Sequence, residues 1–316
     1  MAATGTAELG AGQQSVCALE SVPVSGFIPS SVPYLSGCPP RVAFMCGRYA
    51  ASNNPDDLEV EFEAILAEDA PPVPADYNVA PTDPVYAIRT RKPKEEHQKP
   101  YRELSVVNWG LVPSWAKDRK IGSKMFNARV ESLTEKAAFR TAFQRRRALI
   151  PADGWYEWMV TGGTADSGGN RAAKQPYFMT PEDGSVLAFA GLWEIWGTKP
   201  DLLLTCTVIT IPAVGELAEI HDRMPFVLPR ERWDDWLDPS EQDPTSLLDP
   251  TPLEVVERLE RRPVGPEVGN VKNNGPELVE RVDLGRADQD HAQQLTLPIP
   301  ATPRSGSAVT SLDSPK

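Results

Sequence analysis

The sequence predicts a mixed α/β fold of the α+β type, with a curved, largely antiparallel β-sheet or barrel core and flanking helices. Three observations carry this. Short runs rich in β-branched and aromatic residues recur at close spacing between turn residues. Few segments repeat their apolar residues at helical spacing. No apolar run approaches the roughly 20 residues of a membrane-spanning helix. With 41% hydrophobic and 8% aromatic residues among 316, the chain can build a buried core.

In chain order, residues 1–44 are poor in charge and rich in Ser, Pro, Gly and Ala. Pro23, Pro29, Pro33, Pro39 and Pro40 break any regular element there, and no basic start or continuous apolar centre marks a secretory signal. These residues are expected to be a disordered extension, residues 45–280 the folded domain, and residues 281–316 a disordered tail. Asn54 and Pro55 stand where an N-cap and first helical residue belong, and Leu58, Phe62, Ile65 and Leu66 follow at helical spacing, so a helix is predicted. Strands are predicted at 85–90 and 104–109. Ser132 and Glu135 have the spacing of a capping box ahead of a second helix that carries Phe139 and Phe143 on one face. Further strands follow at 148–151, 155–160, 177–180, 186–193 and 202–211, and the Gly-, Ser- and Asp-rich stretch 161–174 reads as a flexible hairpin connection.

Charge is segregated. The formal net charge is -12, yet residues 117–147 hold ten bases against three acids, while residues 231–260 hold ten acids against two bases. An anionic partner is therefore compatible with the acidic whole, provided one face carries the basic stretch. Arg145, Arg146 and Arg147 read either as part of that surface or as a solvated helix end. The four cysteines, at 17, 38, 46 and 206, show neither a CxxC pair nor a regular spacing. No zinc site, disulfide framework, metal or organic cofactor is indicated, and a reduced cytoplasmic compartment is the expectation. Cys206 is expected to be a buried strand residue, and Trp109, Trp193 and Trp196 packing residues.

Signatures such as GK[ST] after a glycine-rich loop, HExxH, GxSxG and a strand-borne GxGxxG are missing. What remains is a set of polar residues in apolar, aromatic surroundings: Cys46, Asn127, Glu157 and His221. A carboxylate between Trp155, Tyr156 and Trp158 risks desolvation, which raises its pKa and suits proton transfer near neutrality. The same pattern also fits an edge-strand glutamate facing water. A lone histidine is by default a structural one, and His97, among charged neighbours, reads as a solvated loop residue.

Seven runs of this sequence occur in the order found in a known family. They are Met45-Cys46-Gly47-Arg48-Tyr49, Tyr77-Asn78-Val79-Ala80-Pro81, Trp109-Gly110-Leu111-Val112-Pro113-Ser114-Trp115, Asn127-Ala128-Arg129-Val130-Glu131, Pro151-Ala152-Asp153-Gly154-Trp155-Tyr156-Glu157-Trp158, Phe189-Ala190-Gly191-Leu192-Trp193-Glu194 and His221-Asp222-Arg223-Met224-Pro225. Through them the chain resembles the SOS response-associated peptidase (SRAP) family over about residues 45–280. The resemblance implies a DNA-damage protein that binds abasic sites in single-stranded DNA and links itself to them covalently through an N-terminal cysteine, here Cys46. It implies that Asn127 orients the amine or opened sugar, that Glu157 shuttles the proton, and that His221 is a second acid/base or holds the sugar oxygen. By the same resemblance Arg48, Arg129 and Arg223 would contact phosphates, and Trp115 and Trp158 would stack on a splayed strand.

The chemistry can be argued apart from the family. An N-terminal cysteine offers an α-amine of pKa near 7.7–8.0, with a substantial neutral fraction near neutrality where a lysine near 10.4 is almost wholly protonated, beside a thiol. The amine condenses with the aldehyde of an opened abasic sugar, and the thiol then closes a thiazolidine ring. An internal cysteine cannot do this, because its nitrogen is an amide. Here 44 residues precede Met45. The expectation is that translation starts at Met45 or that the extension is removed, by the protein itself among other routes. Other readings are a thiol peptidase using Cys46 and His221, an amidotransferase with an N-terminal nucleophile, a lyase acting through the imine, and, if Met1 is retained, a non-covalent module for single-stranded DNA. The chain is expected to be a monomer with no membrane partner, nucleoid-associated if bacterial. Gln294-Leu295-Thr296-Leu297 resembles a sliding-clamp peptide without its terminal aromatic.

Overall fold

The computed structural model describes residues 46–93, 99–161, 174–241 and 243–284. The extension 1–44 with Cys17 and Cys38, His97, most of the 161–174 connection and the Gln294–Leu297 peptide lie outside the described residues.

Strand β1 (Tyr49–Ala51) leads into helix α1 (Pro55–Phe62), followed by β2 (Ala64–Leu66), β3 (Asp76–Val79), β4 (Pro84–Arg91) and β5 (Tyr101–Trp109). After a 3-10 helix at Arg119–Lys124 come β6 (Asn127–Arg129), helix α2 (Ala137–Arg145), β7 (Arg147–Ala152), β8 (Gly154–Val160), β9 (Lys174–Pro181), β10 (Leu187–Trp196) and β11 (Leu203–Pro212). The described chain continues through β12 (Arg223–Pro225), α3 (Trp233–Leu237), α4 (Leu253–Glu257) and β13 (Leu259–Pro263).

Five of these strands close a ring. β4 pairs antiparallel with β5 and β7, β7 with β10, and β10 with β11, and β11 returns to β5 in parallel through Thr205↔Asn108 and Cys206↔Trp109. Closure removes the edges that an open sheet would expose. The C-terminal half of β11 also carries β6 in parallel and β12 antiparallel. A second sheet runs β13-β9-β8-β1-β3. The two sheets are joined by aromatic edges: Tyr49 of β1 meets Trp109 of β5 at 5.0 Å and Phe189 of β10 at 6.0 Å, and Trp155 of β8 meets Phe189 at 6.1 Å. Each such edge-to-face pair contributes about 0.5–1.5 kcal/mol beyond the area it buries.

The mixed fold with a largely antiparallel barrel core is as the sequence predicts. Cys206 is fully buried in β11 and Trp109 in β5. β8 and β9, on either side of the 161–174 connection, pair antiparallel up to Val160↔Lys174, as hairpin strands do.

Three expectations are corrected. Helix α1 starts as predicted, with the Asn54 side chain accepting the Asp57 N–H at 2.9 Å, but it stops at Phe62. Glu63 turns left-handed at φ 50°, and Ile65 and Leu66 join β5 as strand β2, leaving Ile65 59% exposed. Ladder pairing on an available strand edge wins over helical spacing. The capping box does not form: the Ser132 hydroxyl donates to Arg129 O at 3.0 Å within its own turn, and α2 starts later, after Lys136. Finally, the arginine triplet is neither one surface nor one solvated end. Arg145 is exposed, Arg146 pairs with Glu194 at 2.6 Å, and Arg147, only 4% exposed, donates to the carbonyls of Trp236, Phe143, Gln144 and Asp238. The chain crosses from helix to barrel strand between them, so neighbouring guanidinium groups meet different environments.

Candidate functional site

Cys46 sits where the two sheets meet. β1 and β8 pair in the register Tyr49↔Trp155 and Ala50↔Gly154, and the Tyr156 N–H extends the ladder to Arg48 O at 3.0 Å. One step further, Gly47 falls opposite Glu157. Alternation along β8 sends Trp155 and Glu157 to one face and Tyr156 and Trp158 to the other. Trp155 packs into the barrel core, whereas Tyr156 and Trp158 pack in a separate cluster with Ala50, Phe178, Val264 and Val268. Glu157 therefore points to the barrel side, toward Cys46. On that side β6 brings Asn127 opposite Val208 of β11, and its Nδ2 donates to Cys46 O at 2.6 Å. β12 sets Arg223 opposite Pro212, with Arg223 O 3.9 Å from Cys46 Sγ. The turn that delivers β6 needs close backbone approach: Gly110 has φ 140°, and a Cβ there would lie 2.6 Å from Gly122 O.

Burial sets the electrostatics. Glu157 is 3% exposed, and desolvation raises its carboxyl to about 8; the Cys46 thiol, which donates to it, and Lys174 offset this in part, while Asp222 adds to it. Burial, then the charge of Glu157, pushes the Cys46 thiol well above its ordinary value. The resting pair near neutrality is thus a thiol beside a largely protonated acid. Asn127 Oδ1 and Glu157 Oε1 are buried acceptors with no partner among the described residues. Such atoms cost about 1–3 kcal/mol each, so the site favours an incoming group that donates hydrogen bonds.

His221 Nδ1 accepts the Arg223 N–H at 3.0 Å, with Arg223 O and Asp222 Oδ1 each 3.2 Å away. A neutral ring with its proton on Nε2 uses the N–H, and a protonated ring can donate to the two oxygens, so both states find partners. Among the described residues no hydrogen bond joins His221 to Cys46. Arg223 makes a two-pronged pair with Glu131 at 2.6 and 3.1 Å and also donates to Thr210 O at 2.5 Å. The Glu131 carboxyl is pulled up by partial burial and brought below its ordinary value by that guanidinium. Arg48 donates to Asn78 Oδ1 at 2.7 Å and Val268 O at 3.0 Å. Arg129 is exposed, Trp115 is 62% exposed, and Trp158 is half-buried.

The sequence thus nominates Cys46, Asn127, Glu157, His221 and Arg223, which the fold brings together, whereas Arg48 faces Asn78 and the 268–273 turn. Three contributors were not nominated. Asn78 is buried and donates to Asn270 O at 3.0 Å and Asn273 O at 2.9 Å, Glu131 fixes Arg223, and Asp222 faces His221. All three stand inside the seven runs, which was the available signal. Among the described residues no group of three His, Cys, Asp or Glu side chains could hold a metal ion, and no helix is long and apolar enough to cross a membrane.

Abasic site processing protein YoqW of Bacillus subtilis (strain 168) is 36% identical over 240 residues, which is 75% of this chain and 99% of that protein. Abasic site processing protein YedK of Escherichia coli (strain K12) is 32% identical over 246 residues, covering 75% of this chain and all of that one. Among solved structures, a Bacteroides thetaiotaomicron protein superposes with a TM-score of 0.60 at 23% identity over 75% of this chain and 100% of its own. A Bordetella bronchiseptica protein does so at 0.55 and 26% over 70% of this chain and 100% of its own. The family described as SOS response associated peptidase (SRAP) matches residues 45–271, and the chain belongs to that family.

Proposed function

We propose that this protein processes abasic sites in single-stranded DNA, and that it captures them by closing a thiazolidine ring on Cys46 in a form whose α-amine is free. The observation that carries the reading is the buried Glu157 carboxyl, raised to about 8, beside the Cys46 thiol while Asn127 holds the Cys46 carbonyl. The relatives named for abasic site processing support it.

The α-amine adds to the aldehyde carbon of the opened sugar and gives a carbinolamine. Protonated Glu157 donates to the departing hydroxyl, so that water leaves and an imine forms. The imine keeps its N–H as an iminium when water leaves; the thiol sulfur then bonds to its carbon, the thiol proton passes to the Glu157 carboxylate, and the C=N electron pair returns to the ring nitrogen, which is left as a neutral N–H. Glu157 thus acts as acid and then as base, which a group titrating near neutrality does well. The free α-ammonium and the sugar hydroxyls supply donors for the unpaired Asn127 Oδ1 and Glu157 Oε1. His221, with partners for either protonation state, assists as a second acid/base, and Arg223 and Arg129 face the phosphates. Exposed Trp115 offers a stacking face, a sequence-tolerant contact worth about 1–3 kcal/mol per base. Strand cleavage by β-elimination from the imine is a side branch of the same intermediate.

A peptidase that uses Cys46 as thiolate is less well supported. Its thiol is raised rather than lowered, and no hydrogen bond links it to His221 among the described residues. Removal of whatever precedes Cys46 is required by the capture chemistry, whichever agent performs it.

The test is to incubate the chain starting at Cys46 with single-stranded DNA bearing one abasic site and to run a heat-treated denaturing gel. A shifted band that Cys46→Ala abolishes is expected, and the chain with residue 45 still attached should give none. Repeated turnover of a peptide without a DNA adduct would instead establish the peptidase.

A further inference from the structure

Glu131 and Arg223 are 92 residues apart in the chain and meet across the end of β11. β6 ends at Arg129, opposite Thr210 of β11, and runs into a one-turn 3-10 helix, Val130–Ser132, that carries Glu131. β12 pairs with the same end of β11 and sets Arg223 opposite Pro212. The guanidinium donates from Nη1 to Glu131 Oε1 at 2.6 Å and from Nη2 to Oε2 at 3.1 Å, while Nη2 also reaches the Thr210 carbonyl. The Arg223 carbonyl lies 3.9 Å from Cys46 Sγ, so this ion pair borders the site itself.

The two ends of the pair differ in freedom. The Arg223 side chain is 10% exposed, and its main chain is held by the β12 ladder and by the bond from its N–H to His221 Nδ1. The Glu131 side chain is 54% exposed on a helix of three residues. Beside the guanidinium, its carboxylate draws on its own backbone N–H and on the charge of Arg129, two residues away. Arg223 is thus fixed, and Glu131 can swing into water. A carboxylate that offers two oxygens to the two Nη atoms of a guanidinium takes the geometry in which a phosphodiester is also bound. Carboxylate and phosphate therefore compete for one fork.

We infer that Glu131 is a specificity-determining residue: in the free protein its carboxylate holds the place of a strand phosphate on Arg223, and a bound strand must displace it. The inference rests on the proposed function and deepens it. Displacement costs every strand the Glu131–Arg223 pair, so intact DNA is held weakly, whereas an abasic strand becomes fixed by its bond to Cys46. A glutamate that only braced Arg223 would act in the opposite direction, because its loss would let the guanidinium leave the site.

The experiment is a double-mutant cycle on the full chain. Wild type, Glu131→Gln, Arg223→Gln and the double variant are titrated with an undamaged single-stranded oligonucleotide over a range of salt, and near-UV circular dichroism verifies that all four are folded. Glu131→Gln should tighten binding about fivefold, the upper end for an ion pair with one exposed partner. It should also steepen the log–log salt slope by about 0.7, because the cation released from the phosphate is no longer offset by one that gathers on the freed carboxylate. In the Arg223→Gln background the same change should alter affinity less than about twofold, since Glu131 then acts on the strand only through screened charge. Equal gains in both backgrounds would reveal a general charge effect, and unchanged or weaker binding by Glu131→Gln a bracing role. Either result refutes the inference, as does a wild type that leaves the oligonucleotide unbound. The proposed function is judged separately, by the adduct with an abasic oligonucleotide, and stands if that adduct forms while the cycle fails.

Discussion

Glu157→Gln should make the protein more stable at neutral and alkaline pH while nearly abolishing capture. The folded carboxyl holds its proton up to about pH 8, against an ordinary value of 4.5 when the chain is unfolded. Between those values the folded state binds more protons than the unfolded one, so stability falls as pH rises. The contribution is complete below about 4.5 and is lost as pH passes the folded value near 8. At 1.36 kcal/mol per unit, the loss between pH 5 and pH 8 is about 3.5 kcal/mol. Glutamine keeps the shape, stays neutral and removes this dependence. The urea-derived stability of Glu157→Gln minus that of wild type should therefore rise by about 3.5 kcal/mol from pH 5 to pH 8. Over the same variant, the rate of adduct formation should drop by about 10²–10⁴, the usual contribution of a positioned acid or base. In the wild type that rate should decline above about pH 8, as the acid form disappears. A pH-dependent stability difference below about 1 kcal/mol would refute the claim that this carboxyl is buried and protonated beside Cys46, and with it the assigned role.

Three further outcomes are expected. Cys46→Ser, in the chain starting at residue 46, keeps the amine and loses the thiol, so the adduct should survive heating only after borohydride reduction; a heat-stable band without reduction would exclude ring closure by sulfur. Because burial and Glu157 push the Cys46 thiol up, iodoacetamide should label it more than about tenfold slower than a free cysteine at pH 7, and mass spectrometry showing faster labelling would revive the thiolate peptidase. Arg147→Met strips buried carbonyls of their donor and should lower stability by at least about 3 kcal/mol in urea unfolding, whereas exposed Arg145→Met should stay within about 0.5 kcal/mol; equal effects would contradict the separate environments of these two residues.

The long strands were legible because barrel staves must be apolar. The predicted 85–90 and 202–211 fall almost wholly within Pro84–Arg91 and Leu203–Pro212. The elements that hold the site were not. β1, β6 and β12 are three residues each and exist because β8 and β11 offer them ladders, so neither periodicity nor propensity marks them. The direction of Glu157 was equally hidden. Both faces of β8 are covered, one by the barrel and one by the Tyr156–Phe178 cluster, so the run Trp155-Tyr156-Glu157-Trp158 lacks the polar alternation that reveals an inward face. The same geometry gives a physical reason for chemistry at this junction. A single strand end that supplied nucleophile, acid and carbonyl clamp together would have to bury them on one short segment. Asn127 and Arg223 lie 81 and 177 residues beyond Cys46 and arrive on β6 and β12, while Glu157 arrives on β8 and Cys46 stands just ahead of β1. The barrel and the second sheet can therefore enclose a carboxyl whose ionisation the fold opposes, while the cost of that enclosure is spread over two sheets and the aromatic edges between them.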